Sequence, residues 1–350
     1  MINLNKVKGC LIGGAVGDAL GFPIEFNSIT EIRETYGPAG LTDYVLNNGI
    51  ALISDDTQMT LFTANGLLTA KRNSADKWPA ADTIIKHIFN SYKDWYLTQT
   101  ENYPLPPNIT VHSELTNIPE LFSRRAPGRT CMEAIRDGKI GTVENPLNNS
   151  KGCGGLMRVA PVALALYDTN LSSKEIALIG AEAAAITHGH KLGYMPAAAL
   201  VYLLTEILRG DYLHSAVKGI NSVLLSLFPF SSDLQRLLNF IDMAQTLAKK
   251  NTPPNEAFEE LGEGWIAEET LAISIFCALK YENDFEKGIL ESVNLTGDSD
   301  STGCVTGQIL GAALGFDAIP AKFITHLELK DTISKIADEL CSDVPPRKTA

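Results

Sequence analysis

The strongest constraint on the fold is a hydrophobic periodicity of helical type that runs through nearly the whole chain. Residues 6–20 show it clearly, because apolar side chains such as Ile12 and Val16 recur at the spacing of one helix face. The same pattern predicts further helices at 56–70, 81–97, 155–168, 174–187, 193–209, 212–228, 231–249, 268–281, 302–314 and 329–341. Strand-like alternation is scarce, with one weak candidate at 41–46 or 50–53. The pattern therefore predicts an all-α fold.

The first predicted helix is unusually rich in glycine. Glycines such as Gly13 and Gly17 weaken a helix, so close packing against another backbone is the expected reason for them. Asp18 follows in apolar company and needs a hydrogen-bonding partner. Glu25 stands between Ile24 and Phe26, and these residues alone favour an exposed carboxylate over one poised for acid–base chemistry.

Two acidic clusters near opposite ends of the chain carry the clearest chemical signal. They are Ser54-Asp55-Asp56-Thr57 and Asp298-Ser299-Asp300-Ser301, each at the start of a predicted helix. Taken separately, each is explained as a helix N-cap. Taken together, four converging carboxylates require a strong cation, and an all-oxygen site suits Mg²⁺, Mn²⁺ or Ca²⁺. A shared site brings both chain ends together, which favours one domain over residues 1–350.

The overall charge and the cysteines exclude several classes of protein. A formal net charge of −12 argues against nucleic acid or an anionic membrane as the main partner. No apolar run is long enough to span a bilayer, and the N-terminus has no signal peptide. The six cysteines show no C-x-x-C spacing, which predicts reduced, mostly buried thiols in a cytoplasmic protein.

The least regular region is 98–151, which is rich in proline, asparagine and glycine. It is expected to form surface loops around one or two short helices, and the last few residues of the chain are expected to be disordered. The polar, glycine-rich segment 148–158 opens a predicted helix, as a phosphate-binding loop does, although a flexible loop also explains it. Arg158 in this segment would pair with a buried carboxylate or bind an anion.

Two further segments have a structural and a functional interpretation. Thr187-His188-Gly189-His190 ends the predicted helix 174–187. Paired histidines can bind metal, but no cysteine or carboxylate pattern accompanies them, which favours a helix C-terminal cap. Trp265 lies in the turn before the predicted helix 268–281 and is expected in the core or on a pocket wall.

Taken together, these segments resemble the ADP-ribosylglycohydrolase family from about Val7 to the last predicted helix. The matching pieces, in the family's order, are Gly17-Asp18-Ala19-Leu20-Gly21 with Glu25, Ser54-Asp55-Asp56-Thr57, Gly152-Cys153-Gly154-Gly155-Leu156-Met157-Arg158-Val159-Ala160-Pro161, Thr187-His188 with Gly193-Tyr194, and Gly297-Asp298-Ser299-Asp300-Ser301. Cys153 departs from the pattern, because family members often have asparagine there. Both clusters carry serine where threonine is common.

The resemblance implies a compact orthogonal bundle of helices with two Mg²⁺ ions, or Mn²⁺, in a central cleft. The implied metal ligands are Ser54, Asp55, Asp56, Asp298, Asp300 and Ser301. The implied substrate-binding residues are Ser150, Lys151, Gly152 and Gly154 around the diphosphate, with His188 beside the ribose or diphosphate. The implied catalytic residues are Glu25, close to the scissile bond, with Asp56 and Asp300.

The implied activity is release of ADP-ribose from a mono-ADP-ribosylated protein, with arginine as the preferred attachment. An O-linked target such as serine or an O-acyl ADP-ribose stays open. A two-metal phosphohydrolase and a non-catalytic relative that binds ADP-ribose are the alternatives of other classes. The expected partners are the ADP-ribosylated protein and the ADP-ribose product, with an ADP-ribosylating enzyme or toxin as a possible functional counterpart.

Overall fold

The computed structural model describes residues 3–74 and 78–342, and within them every regular element is a helix. The last few residues, for which disorder is expected, lie outside the described part. The α-helices are α1 (Leu4–Gly21), α2 (Ile29–Tyr36), α3 (Asp55–Arg72), α4 (Ala81–Thr100), α5 (Arg129–Arg136), α6 (Ala160–Leu166), α7 (Ser173–Ala185), α8 (Lys191–Arg209), α9 (Leu213–Leu227), α10 (Ser232–Lys249), α11 (Pro254–Leu261), α12 (Ala267–Lys280), α13 (Phe285–Val293), α14 (Ser299–Leu314), α15 (Ala321–Thr325) and α16 (Lys330–Cys341). The all-α prediction is confirmed.

Most long helices lie where the periodicity predicts them, and the differences have local causes. The predicted helix 155–168 is wrong in its first part, where a 3₁₀ turn at Cys153–Gly155 precedes α6. Pro161 fits there because it occupies the first turn of α6, where its missing N–H costs nothing. The helices α2, α11, α13 and α15 are not predicted, because segments of five to nine residues hold too few turns to show a period.

The weak strand candidate at 41–46 or 50–53 forms no strand in the described residues. Only isolated bridges occur there, between Asn47 and Ile50 and between Ala51 and Leu327. The second of these bridges ties the segment before α3 to the segment before α16.

Two helices contradict the expectation that no apolar segment is long enough for a bilayer. By length and composition, Leu4–Ile24 and Lys191–Arg209 both qualify. However, 83% of the most apolar 18-residue stretch of each segment is buried inside the protein. Burial among other helices accounts for their apolar character, since a central helix of a large core is hydrophobic on all sides. Four of the six cysteines are also buried, as predicted.

The central contact of the fold is an antiparallel pairing of α1 with α14, in which glycines face glycines. A Cβ added to Gly307 would lie 1.9 Å from the carbonyl oxygen of Gly13, and one added to Gly17 would lie 2.0 Å from that of Gly303. The same holds at Gly311, whose Cβ would lie 1.9 Å from Gly9 O. The expected close packing of the α1 glycines is therefore confirmed, and its partner is the C-terminal part of the chain.

This pairing places the end of α1 beside the start of α14. A Cβ on Gly21 would lie 2.2 Å from Ser299 O, in the first turn of α14. The turn Phe22–Ile24 follows α1 directly and carries Glu25 toward the same point. The second acidic cluster therefore meets the N-terminal segment, as a shared site requires.

Region 98–151 is as irregular as predicted, with α5 and two 3₁₀ turns between long loops. One of its arginines, Arg125, forms a two-pronged ion pair with the buried Glu328 and also donates to Ile53 O at 2.9 Å. Glu328 in turn accepts the N–H of Ile53 at 3.1 Å. The loop is therefore fastened next to the start of α3, where the first acidic cluster lies.

The α1–α14 contact makes a direct prediction about stability. Gly307→Ala forces a methyl group into the Gly13 carbonyl, so the free energy of unfolding should fall by about 3 kcal/mol or more. Gly128→Ala is the matched control, because its Cβ would meet only Cys131 Sγ at 4.0 Å, and it should change stability by less than about 0.5 kcal/mol. Urea unfolding of both variants measures this, and equal stabilities would contradict the close contact.

Candidate active site

The first acidic cluster is held in place by α1 and by its own helix. Ser54 is the N-cap of α3, and its hydroxyl accepts the N–H of Asp56 at 3.2 Å. The fully buried Asp18 accepts the N–H groups of Ser54 at 2.9 Å and Thr57 at 3.0 Å. These are the partners that Asp18 needs, and they also satisfy free amides at the start of α3. The carboxylate of Asp55 instead accepts the N–H of Gly128 at 3.2 Å.

The second cluster begins α14. Asp298 is its N-cap and accepts the N–H of Ser301 at 3.2 Å, so the capping interpretation is confirmed for both clusters. Gly297 before it has a φ of 141° and lies against Glu263, where a Cβ would come within 1.9 Å of the carbonyl oxygen. The N–H of Asp298 donates to that same oxygen at 2.9 Å. The turn before α12 therefore fixes the start of α14.

The second cluster meets Glu25, and the first lies close enough for the charge of Asp55 to act on it. Single carboxylate oxygens of Glu25, Asp298 and Asp300 all lie within 4.8 Å of one another. The exposure expected for Glu25 from its neighbours alone is wrong, since only 8% of the residue is exposed. The α1–α14 contact explains why, because it presses the turn after α1 against the start of α14. Asp56 is buried close enough for the charges of Asp55 and Asp298 to act on it.

Burial sets the electrostatics of this group. Desolvation, reinforced by the charges of Asp298 and Asp55, raises the pKa of Glu25 to about 8. Desolvation likewise raises the pKa of Asp55 to about 8, although the Gly128 N–H partly opposes it. The pKa values of Asp56 and Asp300 lie well above the usual range, first through burial and then through neighbouring carboxylates. Five acids in one buried place therefore resist ionisation unless a cation joins them.

The residues present fit a divalent metal centre. Glu25 Oε2 and Asp56 Oδ1 are buried and have no hydrogen-bond partner, which leaves two acceptor atoms free. The surrounding donors are carboxylate and hydroxyl oxygens, the ligands that Mg²⁺ and Mn²⁺ prefer. The oxygens of Asp298 and Asp300 lie within reach of the same point as Glu25. This donor set suits a hard cation, and the unpartnered oxygens of Glu25 and Asp56 are available to bind it.

The glycine-rich loop joins the acidic group through Cys153. The thiol of Cys153 donates to Asp298 Oδ2 at 2.7 Å, and the Ser301 hydroxyl donates to the sulfur at 3.4 Å. The loop is held from its other side by Ile266, which forms a bridge with Gly152. The proposed diphosphate loop and the proposed metal ligands therefore form one continuous surface.

His188 faces this loop. A Cβ added to Gly152 or Gly154 would lie 3.5 Å or 3.4 Å from His188 Nε2. Its Nδ1 lies 2.8 Å from the hydroxyl of Thr187, which accepts a hydrogen bond from Arg158 at 2.7 Å. The Thr187 hydroxyl accepts from Arg158 and also contacts Nδ1, so these two residues fix the orientation of the His188 ring, with Nε2 toward the glycines. Burial and the nearby Arg158 lower the pKa of His188 to about 3, which keeps it neutral.

Several expectations for this region are corrected. The His190 side chain does not cap the end of α7 but caps the start of α8, by accepting the N–H of Leu192 at 3.0 Å. At the end of α7 the backbone N–H of His188 donates to Ala184 O at 3.0 Å, while the side chain turns to Thr187. The fully buried Arg158 has no carboxylate within ion-pair distance among the described residues. It lies over the ring of Tyr92 instead, 4.4 Å from the centroid.

Two of the predicted substrate-binding residues are already engaged. Lys151 extends its ammonium toward the buried Glu268, 3.5 Å away. The Ser150 hydroxyl lies 3.0 Å from the hydroxyl of Thr130, while its carbonyl accepts the N–H of His190. Both residues are in the loop, and a Cβ added to Gly152 would lie 3.8 Å from the Ser150 hydroxyl.

An aromatic pair flanks the site. The ring of Trp265 stacks on that of Phe26, with the centroids 5.8 Å apart and 19° between the planes. Phe26 is 74% exposed and Trp265 is 39% exposed, so Trp265 is not a core residue. Because Phe26 follows Glu25 directly, this flat apolar surface stands beside the acidic group.

Sequence reasoning missed the role of Asp18 as the anchor of α3 and the contact of Cys153 with Asp298. The requirement of a buried aspartate for a partner signalled the first of these. Nothing in the sequence signalled the second, because it joins residues from distant parts of the chain.

Comparison with known proteins shows the family of this chain. The family model described as ADP-ribosylglycohydrolase matches residues 2–349. The chain is 26% identical to "ADP-ribosylhydrolase ARH3" of Danio rerio over 96% of this chain and 90% of that protein, and 24% identical to the Homo sapiens protein of the same name over 97% and 93%.

The chain is also similar to a named bacterial hydrolase and to a solved structure. It is 24% identical to "ADP-ribosylarginine hydrolase Tri1" of Pseudomonas putida, over 98% of this chain and 79% of that protein. A solved structure titled "ADP-ribosylglycohydrolase-related protein complex" superposes with a TM-score of 0.60, at 23% identity, over 97% of this chain and 98% of that one, which shows the shared fold. The match over nearly the whole chain shows that this protein belongs to the ADP-ribosylglycohydrolase family.

Proposed function

We propose that this protein is a divalent-metal-dependent hydrolase that releases ADP-ribose from proteins mono-ADP-ribosylated on arginine. The observation that carries the proposal is the convergence of Glu25, Asp56, Asp298 and Asp300 at one buried place with unpartnered oxygens. Membership of the family supports the reaction class. The glycine-rich loop, in contact with the same acids through Cys153, supports a ligand that carries both hydroxyl groups and a diphosphate.

The proposed ligands of two Mg²⁺ or Mn²⁺ ions are Ser54, Asp55, Asp56, Asp298, Asp300 and Ser301. Bound ions of this kind supply Lewis acidity and a template that orients ribose hydroxyls and water. The capping bonds leave these residues able to bind metal, because a carboxylate oxygen that accepts one proton keeps a further lone pair, and Asp55 also keeps its second oxygen.

The chain's own acid–base group would be Glu25. Its Oε2 has no hydrogen-bond partner, so it is free to accept a proton from the attacking water. Water oxygen would bond to the ribose C1″ as the bond to the arginine nitrogen breaks, through a transition state of oxocarbenium character. The proton on Glu25 would then pass to the departing guanidine, which leaves the arginine side chain as a guanidinium and the carboxylate restored.

The diphosphate would lie on the loop of Gly152 and Gly154. Backbone amides supply positive potential without a charged side chain, which suits a protein of net charge −12. His188 Nε2 faces these glycines and, in the tautomer that carries the proton there, would donate to a diphosphate or ribose oxygen. Arg158 and Thr187 would act through His188 by holding the orientation of its ring.

Two observations support arginine as the target. One relative, Tri1, is named as an ADP-ribosylarginine hydrolase. The stacked rings of Phe26 and Trp265 stand next to Glu25 and are partly exposed, and such rings attract a guanidinium through their π faces. A serine hydroxyl offers no such contact.

A release assay tests the proposal. The protein should release free ADP-ribose from an arginine-modified substrate in Mg²⁺, and EDTA should abolish the release. Asp300→Asn should lower kcat/KM by about 100-fold or more, because it removes a metal ligand. Asp317→Asn, a change at an exposed aspartate, should keep full activity.

The products and the substrate distinguish the other functions. AMP with ribose phosphate would indicate a phosphohydrolase, and release only from serine-modified substrate would indicate the O-linked reaction. No release from either substrate would contradict the enzymatic proposal.

A second test concerns Glu25. Glu25→Gln should lower kcat by about 100-fold to 10,000-fold, the range for loss of a general base, while ADP-ribose binding measured by calorimetry stays within about threefold. Glu34→Gln is the matched control at an exposed carboxylate and should leave both quantities unchanged. Unchanged turnover in Glu25→Gln would remove this residue from the mechanism.

The raised pKa values predict how metal stabilises the protein. Unfolded carboxylates ionise at about pH 4, whereas Glu25 and Asp55 in the folded protein have pKa values of about 8. Between these values the folded state holds more protons, so the stability of the metal-free protein falls as pH rises. A bound cation favours the ionised acids, so the rise in Tm caused by Mg²⁺ should be larger at about pH 8 than at about pH 5.5. Thermal scans with and without EDTA measure this, and an equal rise at both values would contradict it.

A further inference from the structure

Cys153 places a sulfur atom where members of the family often have asparagine. Its Sγ lies 2.7 Å from Asp298 Oδ2 and 3.4 Å from the Ser301 hydroxyl. Both of these partners belong to the proposed metal ligands. The sulfur is thus in contact with the metal centre and not merely near it.

The geometry suits a shared ion. Zinc–sulfur bonds are about 2.3 Å and zinc–oxygen bonds about 2.1 Å, so neighbouring sulfur and oxygen ligands of one ion lie roughly 3.1–3.6 Å apart. The distance between Cys153 Sγ and the Ser301 hydroxyl, 3.4 Å, falls in this range. The 2.7 Å between Sγ and Asp298 Oδ2 is a hydrogen-bond distance below this range, and it would lengthen once the thiol proton is lost. The thiol proton that now bonds to Asp298 would be displaced to solvent when the sulfur coordinates.

A second, independent feature points to an ion at this place. Asp56 Oδ1 is buried and has no hydrogen-bond partner, and the charge of Asp56 acts on the Cys153 thiol. The residue is 2% exposed, so water does not readily satisfy that oxygen. An unpartnered carboxylate oxygen and a thiol next to the same ligands make a mixed oxygen–sulfur donor set.

We propose that Cys153 makes this centre a binding site for thiophilic divalent ions, Zn²⁺ and Cd²⁺, which displace Mg²⁺ or Mn²⁺ from it. A soft sulfur ligand adds affinity for these ions that it does not add for Mg²⁺ or Mn²⁺. The inference rests on the metal-binding part of the proposed function. If Zn²⁺ displaces the activating ion in this way, it inhibits the enzyme, and the inhibition depends on the Cys153 side chain.

Cadmium is the probe, because a cadmium–thiolate bond gives a charge-transfer absorption in the ultraviolet that needs no turnover. Titrating the intact protein with Cd²⁺ should produce this band with one equivalent. Cys153→Ser keeps the hydrogen bond to Asp298 but removes the sulfur, and it should lose the band. Cys341→Ser is the matched control, because Cys341 lies half-buried at the end of α16, and it should keep the band.

Affinities provide the second readout. Competition with a chromophoric chelator should show Zn²⁺ binding weakened about tenfold or more in Cys153→Ser. Mn²⁺ binding, followed by the paramagnetic resonance of the free ion, should change by less than about threefold, since oxygen ligands hold it. This result also shows that the variant is folded.

The outcomes separate this inference from the proposed function. The same cadmium band in Cys153→Ser would overturn the inference, because another thiol would be the ligand. No band in the unaltered protein, although it binds Mn²⁺, would overturn the inference and leave the proposed function standing. Absence of binding by both ions would overturn the inference together with the metal-dependent function.

Discussion

The antiparallel contact between α1 and α14 is the constraint on which the rest of the structure depends. Glycines on both helices let the two backbones approach until an added Cβ would overlap a carbonyl oxygen, as at Gly307. The contact joins the two ends of the chain and fixes their register. Through that register, the turn carrying Glu25 meets the first residues of α14, including Asp298 and Asp300. A slip of one helical turn would separate these acids by about 5 Å.

Bringing these acids together is electrostatically costly, and the fold offsets only part of the cost. Helix starts supply amide protons, so that Asp18 and Asp298 accept backbone hydrogen bonds while staying buried. The remaining acids, Glu25 and Asp56 among them, keep unpartnered oxygens. Burial of like charges without pairing is unfavourable by several kcal/mol per ion. A divalent cation bound between the carboxylates would replace their mutual repulsion with attraction to the ion. The proposed function therefore requires a bound metal.

The sequence predicts the helices well and the site in part. Periodicity locates long helices such as α1 and α8, since each offers several turns of one apolar face, but it misses α2 and α13, which are short. The acidic clusters can be recognised in the sequence as candidate metal ligands, because a helix cap needs only one such residue and each cluster has two carboxylates. The burial of Glu25 cannot be predicted in this way, because its neighbours in sequence do not indicate that α14 packs against it. Its burial follows from the packing of glycines in α1 against glycines in α14. These two segments are far apart in the chain, so no local sequence pattern predicts that they pack together.

The central claim is that the acids gathered by the α1–α14 contact hold divalent metal. The most direct measurement is the anomalous diffraction of a crystal of this protein soaked in Mn²⁺. The account predicts anomalous peaks within coordination distance of Asp56, Asp298 and Asp300. A crystal with no peak at these residues, in particular one whose Mn²⁺ lies elsewhere, would contradict it.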